Sequence, residues 1–320
     1  MKKRWDILAP LDTCVDILVD CKEIMPQFGQ AEQLVSDYSF ELGGSNCIFA
    51  SQAAKLGMSV AGVGVVGQDT FGAYVEEKLK EAGVDIRYLK KDGAVKTALG
   101  VALCRSGGDR AILTYSGSLD VLTGQDITEE MLKGARHLHI GSYFLMKKLQ
   151  KDYPAVLQRA RAEGLTISLD TNWDPEEKWD SGLDRLLPCI DVFLPNEAEL
   201  LNISGRSGVT EALACMGKQI PVIAVKCGGK GAVGSREGEI FSCSVREQEA
   251  VDTVGAGDSF DAGFLYGFLQ GFSMEKSLIW GCYCGSRNVR RSGGTKGQPF
   301  LADWENDWGK GRQRFEFDIE

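Results

Sequence analysis

Asp258 follows directly on Gly255-Ala256-Gly257, inside the run from Val251 to Gly263, and that pairing of residue types could move a phosphoryl group. Glycines at 255 and 257 let the backbone turn tightly, and Phe260, Phe264, Leu265, Phe268 and Leu269 then have helical spacing. The expectation is a loop that becomes a helix N-terminus. Such a terminus carries unpaired N–H groups and the positive end of the helix dipole, so Gly255, Ala256 and Gly257 could cradle an anion. A carboxylate beside that cradle could take a proton from a hydroxyl while the amides stabilise charge on the phosphoryl group in transit. The bland alternative is a capped helix, since Asp is favoured in a first turn and Gly-Ala-Gly suits any tight turn.

Three more polar clusters follow expected strands: Asp170-Thr-Asn172 after 166–169, Asn196 and Glu199 after 192–194, and Lys226-x-Gly228-Gly229-Lys230-Gly231 after 222–225. The Asp258 loop follows a strand expected to end near Val251. Ligands in parallel sheets bind beyond the carboxyl ends of the strands, so the four clusters should share one rim. Singly they read as turn formers, a solvated helix residue and a surface cation. Together they supply carboxylates for a hydrated Mg²⁺, a lysine for phosphates, glycines for close nucleotide approach and a base, which phosphoryl transfer requires jointly.

The string Asp252-Thr253-x-Gly255-Ala256-Gly257-Asp258-x-Phe260 closely resembles the C-terminal signature of the ribokinase-like, or PfkB, carbohydrate kinases. The resemblance spans roughly residues 5 to 300. Gly43-Gly44-x-Asn46 with Ala53, Leu56-Gly57, Gly67-x-Asp69 and Phe71-Gly72 resembles the N-terminal signature; Asn196-x-x-Glu199 resembles the N-x-x-E motif; Lys226-x-Gly228-x-x-Gly231 resembles the nucleotide loop. The resemblance implies an α/β fold with a three-layer αβα core, a mostly parallel sheet and a small β lid drawn from about 12–42 and 95–117, often used for dimerisation. It also implies ATP and Mg²⁺ as cofactors, with Glu199 reaching the metal through water. Asp16, Gly43, Gly44 and Asn46 would hold sugar hydroxyls, joined by Asp170 and Asn172, and Cys282 would face adenine. The loops around Asp252, Val254, Asn288, Arg291 and Gly293 would bind a monovalent cation such as K⁺ through carboxylate and backbone oxygens. Asp170-Thr-Asn172-Trp173-Asp174 partly resembles the Asp-x-Asn-x-Arg stretch of fructokinases and 2-keto-3-deoxygluconate kinases, with Asp174 in place of the arginine. The missing cation argues for a neutral sugar or polyol over an acidic sugar.

The elements that must position these residues are legible in outline. Cys14 to Cys21 and Tyr38 to Leu42 alternate as half-exposed strands, and a β-rich stretch from Thr97 to Tyr115 turns at Ser106-Gly107-Gly108-Asp109, enough for a small separate sheet. Phe28, Tyr38 and Phe40 read as core of that lid, or as a stacking surface for a base. A helix is expected over 48–56 ending at Gly57, and another from Thr70 after Asp69. Gly62-Val-Gly64-Val-Val-Gly67 spells the dinucleotide fingerprint, yet its glycines fall inside the strand over 60–66 rather than at a helix entrance, which excludes that reading. From Ile127 onward strands and helices alternate, including a helix from Tyr153 to Glu163, as βαβ units do. No repeat or low-complexity linker breaks the 320 residues, so one continuous domain is expected.

Composition bounds the partners. Lys and Arg total 36 against 45 Asp and Glu, a net charge of −9, which argues against a nucleic-acid binder. Nothing approaches the ~18 apolar residues of a membrane span, and a cytoplasmic location is expected. The ten scattered cysteines read as reduced, mostly buried small apolar residues, and the only two histidines, His137 and His139, as strand packing. The charged segment 302–320, with Trp304, Trp308, Phe315 and Phe317, is expected to pack along the surface or on a partner chain. The expected activity is ATP-dependent phosphorylation of a small carbohydrate. A nucleoside kinase of the same superfamily and a sugar-binding sensor without chemistry are its rivals; the intact base and cradle speak against the sensor.

Overall fold

The computed structural model describes residues 3–105, 110–245 and 250–308, so the expected hairpin turn at 106–109 and residues 309–320 lie outside it. β1 (Trp5–Pro10) enters the body, β2 (Cys14–Lys22) and β3 (Asp37–Gly43) leave it, and α1 (Ser45–Lys55) returns. Next come β4 (Val60–Gly67), α2 (Thr70–Glu81), β5 (Asp85–Asp92), β6 (Ala98–Arg105) and β7 (Arg110–Tyr115). α3 (Glu129–Gly134), β8 (Ala135–Ile140), α4 (Lys147–Ala162), β9 (Thr166–Leu169), α5 (Leu183–Leu186), β10 (Val192–Phe193), α6 (Glu197–Ser204), α7 (Val209–Met216) and β11 (Val222–Lys226) then alternate. β12 (Ala232–Arg236) and β13 (Glu239–Cys243) form a hairpin, followed by α8 (Ala256–Leu269), α9 (Met274–Asn288) and α10 (Leu301–Trp308).

The large sheet has the order β13-β12-β11-β10-β9-β8-β1-β4-β5, parallel from β11 to β5 and antiparallel only at the β12–β13 edge. Helices cover both faces. Met131, Leu149, Leu157, Leu183, Leu200 and Leu213 from α3 to α7 pack in one core, and Phe49, Val75, Phe264 and Leu278 from α1, α2, α8 and α9 in the other. Every residue of β4 is buried, and a Cβ on Gly62 would lie 2.5 Å from Leu11 Cδ1. The glycines of the apparent dinucleotide motif therefore serve packing between strand and loop.

The four-stranded lid has the order β3-β2-β6-β7. It rests on α2 through Phe40, whose ring lies 5.5 Å from Phe71 and 4.4 Å from Tyr74. Of the three aromatics expected in the lid core only Phe40 packs there; Phe28 and Tyr38 are exposed.

Several local expectations need correction. α4 begins at Lys147 rather than Tyr153 and carries Pro154 in its interior, because Leu149, Tyr153, Val156, Leu157 and Ala160 form one buried stripe whose burial outweighs the proline's cost. Val251 stands in a bend, and the last strand before α8 among the described residues ends at Cys243. His137 bonds Thr166 and Ser168 through its two ring nitrogens at 2.7 Å each, and His139 stacks on Phe49 at 3.7 Å. Burial pushes both imidazoles down, so they serve as neutral strand packing. All ten cysteines are free. Among the described residues no helix is long and apolar enough to cross a membrane. The part of the C-terminal segment that is described, α10, lays Trp304 on Trp280 at 3.9 Å, and Tyr283 donates to Asp307 at 3.0 Å.

α8 and α9 approach through small residues. A Cβ on Gly263 would overlap the Trp280 carbonyl oxygen and lie 2.8 Å from Cys284 Sγ. Gly263→Ala is therefore expected to destabilise the protein by about 1–3 kcal/mol, the usual cost of overpacking, seen as a lowered urea midpoint at unchanged slope.

Candidate active site

The site is assembled around the start of α8. Gly255 sits at φ 71°, a left-handed conformation that glycine adopts without strain, and a Cβ there would lie 2.7 Å from the Gly294 carbonyl oxygen. Helical bonding begins only with the Ser259 N–H, which donates to Gly255 O at 2.9 Å. Ala256 N–H points at Thr253 O across 3.3 Å, and no acceptor meets Gly257 N–H or Asp258 N–H among the described residues. These amides front a cavity of about 230 Å³. Its lining brings together Lys226, Gly228, Gly231, Ala256, Gly257 and Cys282, all singled out in the sequence, with Phe260 and Val289 beside them.

Asp258 is half-buried in the first turn of α8. Burial raises its carboxyl well above the ordinary range and the charge of Asp170 adds to this, while Lys226 and a hydrogen bond from Ser45 oppose it. Lys226 lies beside the amides: a Cβ on Gly257 would be 3.7 Å from its Nζ. Its ammonium donates to Asp170 at 2.8 Å and Asp261 at 3.1 Å, all three side chains being largely buried. Burial would lower Lys226, but the two carboxylates more than reverse that. Burial also works against the charge on Asp170, yet Lys226 holds it below the usual range. Asp261, farther from the ammonium and with Oδ1 unpartnered, is raised well above it by burial. The cluster is thus a Lys226 ammonium held between Asp170, which it keeps low, and Asp261, which burial raises.

On the lid side, Asp16 lies opposite Glu41 and Gly100 in the strand register. A Cβ on Gly43 would sit 2.5 Å from its carboxyl and one on Gly100 would overlap it, so two glycines make room for this acid. Burial pushes Asp16 up. Gly44, at φ 83°, leaves α1 without a side-chain cap of its own. Asp12, at the carboxyl end of β1, supplies the cap from across the sheet: it accepts from Ser45 N at 2.8 Å, Asn46 N at 2.9 Å and the Ser142 hydroxyl. Burial raises it to about 6. Asn46 is fully buried; its Nδ2 donates to Pro10 O, and its Oδ1 has no partner among the described residues. Asn172 accepts from Ser142 N at 2.8 Å and donates to Ser45 Oγ at 2.7 Å, tying the β8, β9 and α1 loops together. Asp174 is buried and accepts from Glu176, Lys178 and Trp179 N–H groups, so it caps its own turn.

Asn196 and Glu199 form a capping box on α6. Asn196 Oδ1 accepts from Glu199 N at 2.9 Å, and the two Glu199 oxygens accept from Asn196 N at 2.8 Å and Nδ2 at 2.7 Å. Burial, with the charge of Asp170 second, lifts Glu199 to about 7. The expected cation loop is also drawn together: Asp252 accepts from Val254 N at 2.9 Å and Gly293 N at 2.8 Å, and Asn288 Nδ2 donates to Val254 O at 2.8 Å. Arg291 N–H reaches Asn288 O at 3.4 Å, and the buried Asn288 Oδ1 has no partner among the described residues.

Sequence reasoning missed Asp12, Ser45, Ser142 and Asp261. The signal for Asp12 was its place at the end of a strand, and for Asp261 its position one helical turn after Asp258.

A family profile described as pfkB family carbohydrate kinase matches residues 11–301. The chain is 29% identical over 280 residues to a 2-dehydro-3-deoxygluconokinase of Bacillus subtilis (strain 168), covering 83% of this chain and 86% of that one. It is 30% identical over 235 residues to a fructokinase of Klebsiella pneumoniae, covering 70% and 76% respectively. The solved structure of a putative ribokinase II from E. coli in complex with ATP and Mg²⁺ superposes with TM-score 0.81 at 26% identity, covering 96% of this chain and 98% of that chain.

The raised carboxyls give the fold a pH dependence. A group whose folded pKa lies above its unfolded one contributes stability below the unfolded value and loses it as pH rises through the folded one. Between about 4 and about 7, the window set by Asp12 and Glu199, both therefore make stability fall with rising pH. Glu199→Gln should remove its share, so that thermal melts at pH 5 and pH 7.5 lie closer together than in the parent; an unchanged gap would contradict the assignment.

Proposed function

We propose that this chain, which belongs to the pfkB family of carbohydrate kinases, moves the γ-phosphoryl group of ATP to a hydroxyl of a neutral sugar or polyol with Asp258 as base. It is a phosphotransferase with a sugar hydroxyl as acceptor. The observation that carries the reading is the shared cavity: the amides at the start of α8 and the glycine loop after β11 line the same space, with Asp258 in the next residue.

The acceptor oxygen attacks the γ-phosphorus as its proton passes to an Asp258 carboxylate oxygen, and the bond to the bridging oxygen breaks to release ADP. Of the expected Gly255–Gly257 cradle, Ala256 N–H is turned to Thr253 O, so the N–H groups of Gly257 and Asp258 are the ones that meet the charge on the phosphoryl oxygens. The surroundings raise the proton affinity of Asp258, which suits it to receive that proton, while Lys226 limits the rise. The Gly228–Gly231 loop and the region of Cys282 take the nucleotide.

No group of three or more metal-ligating side chains occurs among the described residues, and both Glu199 oxygens already accept from Asn196. This donor set fits a hydrated Mg²⁺ carried on the phosphates, with Asn196 and Glu199 meeting its water shell; bound there, Mg²⁺ would neutralise charge on the leaving ADP. The unpartnered Asn288 Oδ1 and the Asp252 carboxylate fit a monovalent cation in the adjoining loop. The lid that carries Asp16 would exclude water and serve as the surface of a homodimer.

The neutral substrate rests on charge. Asp12, Asp16 and Asp258 bring carboxylates to the acceptor side, and Asp174, spent on its own turn, offers no cation where an acidic sugar would want one. In a coupled ADP-release screen, turnover is expected with a neutral sugar or polyol. Turnover confined to 2-dehydro-3-deoxygluconate or to nucleosides would refute the substrate class, and no ADP with any acceptor would favour a sensor. With the acceptor in hand, Asp258→Asn should keep nucleotide affinity and lose about 10²–10⁴ in kcat, the usual worth of a general base; near-normal turnover would exclude Asp258 from that role.

A further inference from the structure

Just beyond the carboxyl ends of β1, β8 and β9, and at the start of α1, four side chains close a ring of hydrogen bonds. Asp12 Oδ2 accepts from Ser45 N at 2.8 Å and from the Ser142 hydroxyl. Ser142 N donates to Asn172 Oδ1 at 2.8 Å, and Asn172 Nδ2 donates to Ser45 Oγ at 2.7 Å, which returns the ring to its start. Asp12 and Ser142 are buried, and the other Asp12 oxygen accepts from Asn46 N at 2.9 Å.

Two members stand in a conformation that their residue types disfavour. Ser142 has φ 51° and Asn172 φ 57°, both left-handed, and neither is glycine. Such backbone persists where its surroundings over-determine it, and it gathers at functional sites. Capping of α1 accounts for the bonds from the Ser45 and Asn46 amides to Asp12. It does not account for the rest of the ring.

The Ser45 hydroxyl shows what the rest does. It has a single proton, and because its oxygen accepts from Asn172, that proton is directed elsewhere. Its partner is the Asp258 carboxyl. The sense of the ring is fixed, because Ser142 N can only donate and so holds the oxygen of the Asn172 amide, leaving the nitrogen for Ser45. The charged groups about Asp258 are Asp170, Lys226 and Asp12 from other elements and Asp261 one turn on in α8.

We infer that Ser45 is a positioning residue for phosphoryl transfer, whose hydroxyl aims the Asp258 carboxyl, and that Asn172 acts through Ser45 rather than as a ligand of the sugar. This rests on the reading of Asp258 as the base. The sequence placed Asn172 among the groups that hold sugar hydroxyls, but both ends of its amide are engaged within the protein.

The test compares the parent with Ser45→Ala, Asn172→Gly and the double variant in steady-state ADP release as a function of pH, with D-fructose, D-ribose and myo-inositol as acceptors. Alanine at 45 keeps the N–H that meets Asp12, and glycine at 172 keeps the left-handed backbone while removing the amide. Ser45→Ala is expected to lower kcat about tenfold at unchanged KM for ATP and acceptor, the scale of one hydrogen bond. The acid limb of its kcat profile should move to higher pH, because a bond that favours the ionised carboxylate is gone. Asp170, Lys226, Asp12 and Asp261 are all retained, so that movement reports the lost bond. Asn172→Gly should lower kcat in the same sense, and the double variant should lose no more than Ser45→Ala. A raised acceptor KM at parental kcat in Asn172→Gly, losses that multiply in the double variant, or a parental kcat and acid limb in Ser45→Ala would each overturn the inference. Failure of the base reading looks different: turnover that survives Asp258→Asn, or no ADP with any acceptor, removes the base and this inference with it.

Discussion

The contact on which the site depends is the buried Lys226 ammonium between Asp170 and Asp261. Three elements end there: β9 delivers Asp170, β11 delivers Lys226, and α8 delivers Asp261 one turn below Asp258. Desolvating such charges costs several kcal/mol per ion, so the cluster persists only because each group is answered at hydrogen-bond distance. Breaking one link would leave an uncompensated charge beneath the cavity at the start of α8. The cluster therefore fixes where α8 starts relative to the sheet, and with it where the Gly257 and Asp258 amides point.

The same balance sets the proton affinity of Asp258. Its neighbours are mostly carboxylates, Asp170 and Asp12 among them, and Lys226 is the near cation. A carboxylate in such a field holds a proton more strongly than it would in water, and a cation too close would reverse this. Lys226 is kept from that by Asp170, which takes the shorter of its two ion pairs. The lysine can therefore stand next to the first amides of α8 without reversing that rise.

How far the sequence shows this depends on the range of each interaction. The α8 entrance was legible because a left-handed glycine, a first-turn acid and an apolar stripe lie within a few residues. The glycines of β4 could be read as strand residues because their neighbours are β-branched. Asp12 was not legible: its partners Ser45 and Ser142 are 33 and 130 residues away, and no local spacing predicts a cap supplied across a sheet. Asp261 was hidden differently, by standing on the buried side of a helix where its sequence neighbours are apolar. β5 was passed over because its exposed side carries charges, as an edge strand tolerates. α9 was passed over because Gly281, Cys282, Cys284 and Gly285 give it no ordinary apolar stripe.

The 289–300 segment joins the parts that local motifs leave separate. Gly293 donates to Asp252, and a Cβ on it would be 2.6 Å from the Glu41 carboxyl carbon, so the lid strand β3 packs directly on the loop that lies against Gly255. Lys296 holds the same Glu41 from the other side, and Gln298 reaches α1 at Ile48 O and α8 at Ser259. Glu41 is buried while Lys296 is half exposed, so the carboxylate is fixed and the lysine is the member able to move. Anything that draws Lys296 away leaves a buried charge on the lid strand without its partner, a cost the lid can relieve only by shifting against the body. The position of the lid on the body is therefore set in part by one ion pair, between Glu41 on β3 and Lys296 on the 289–300 segment.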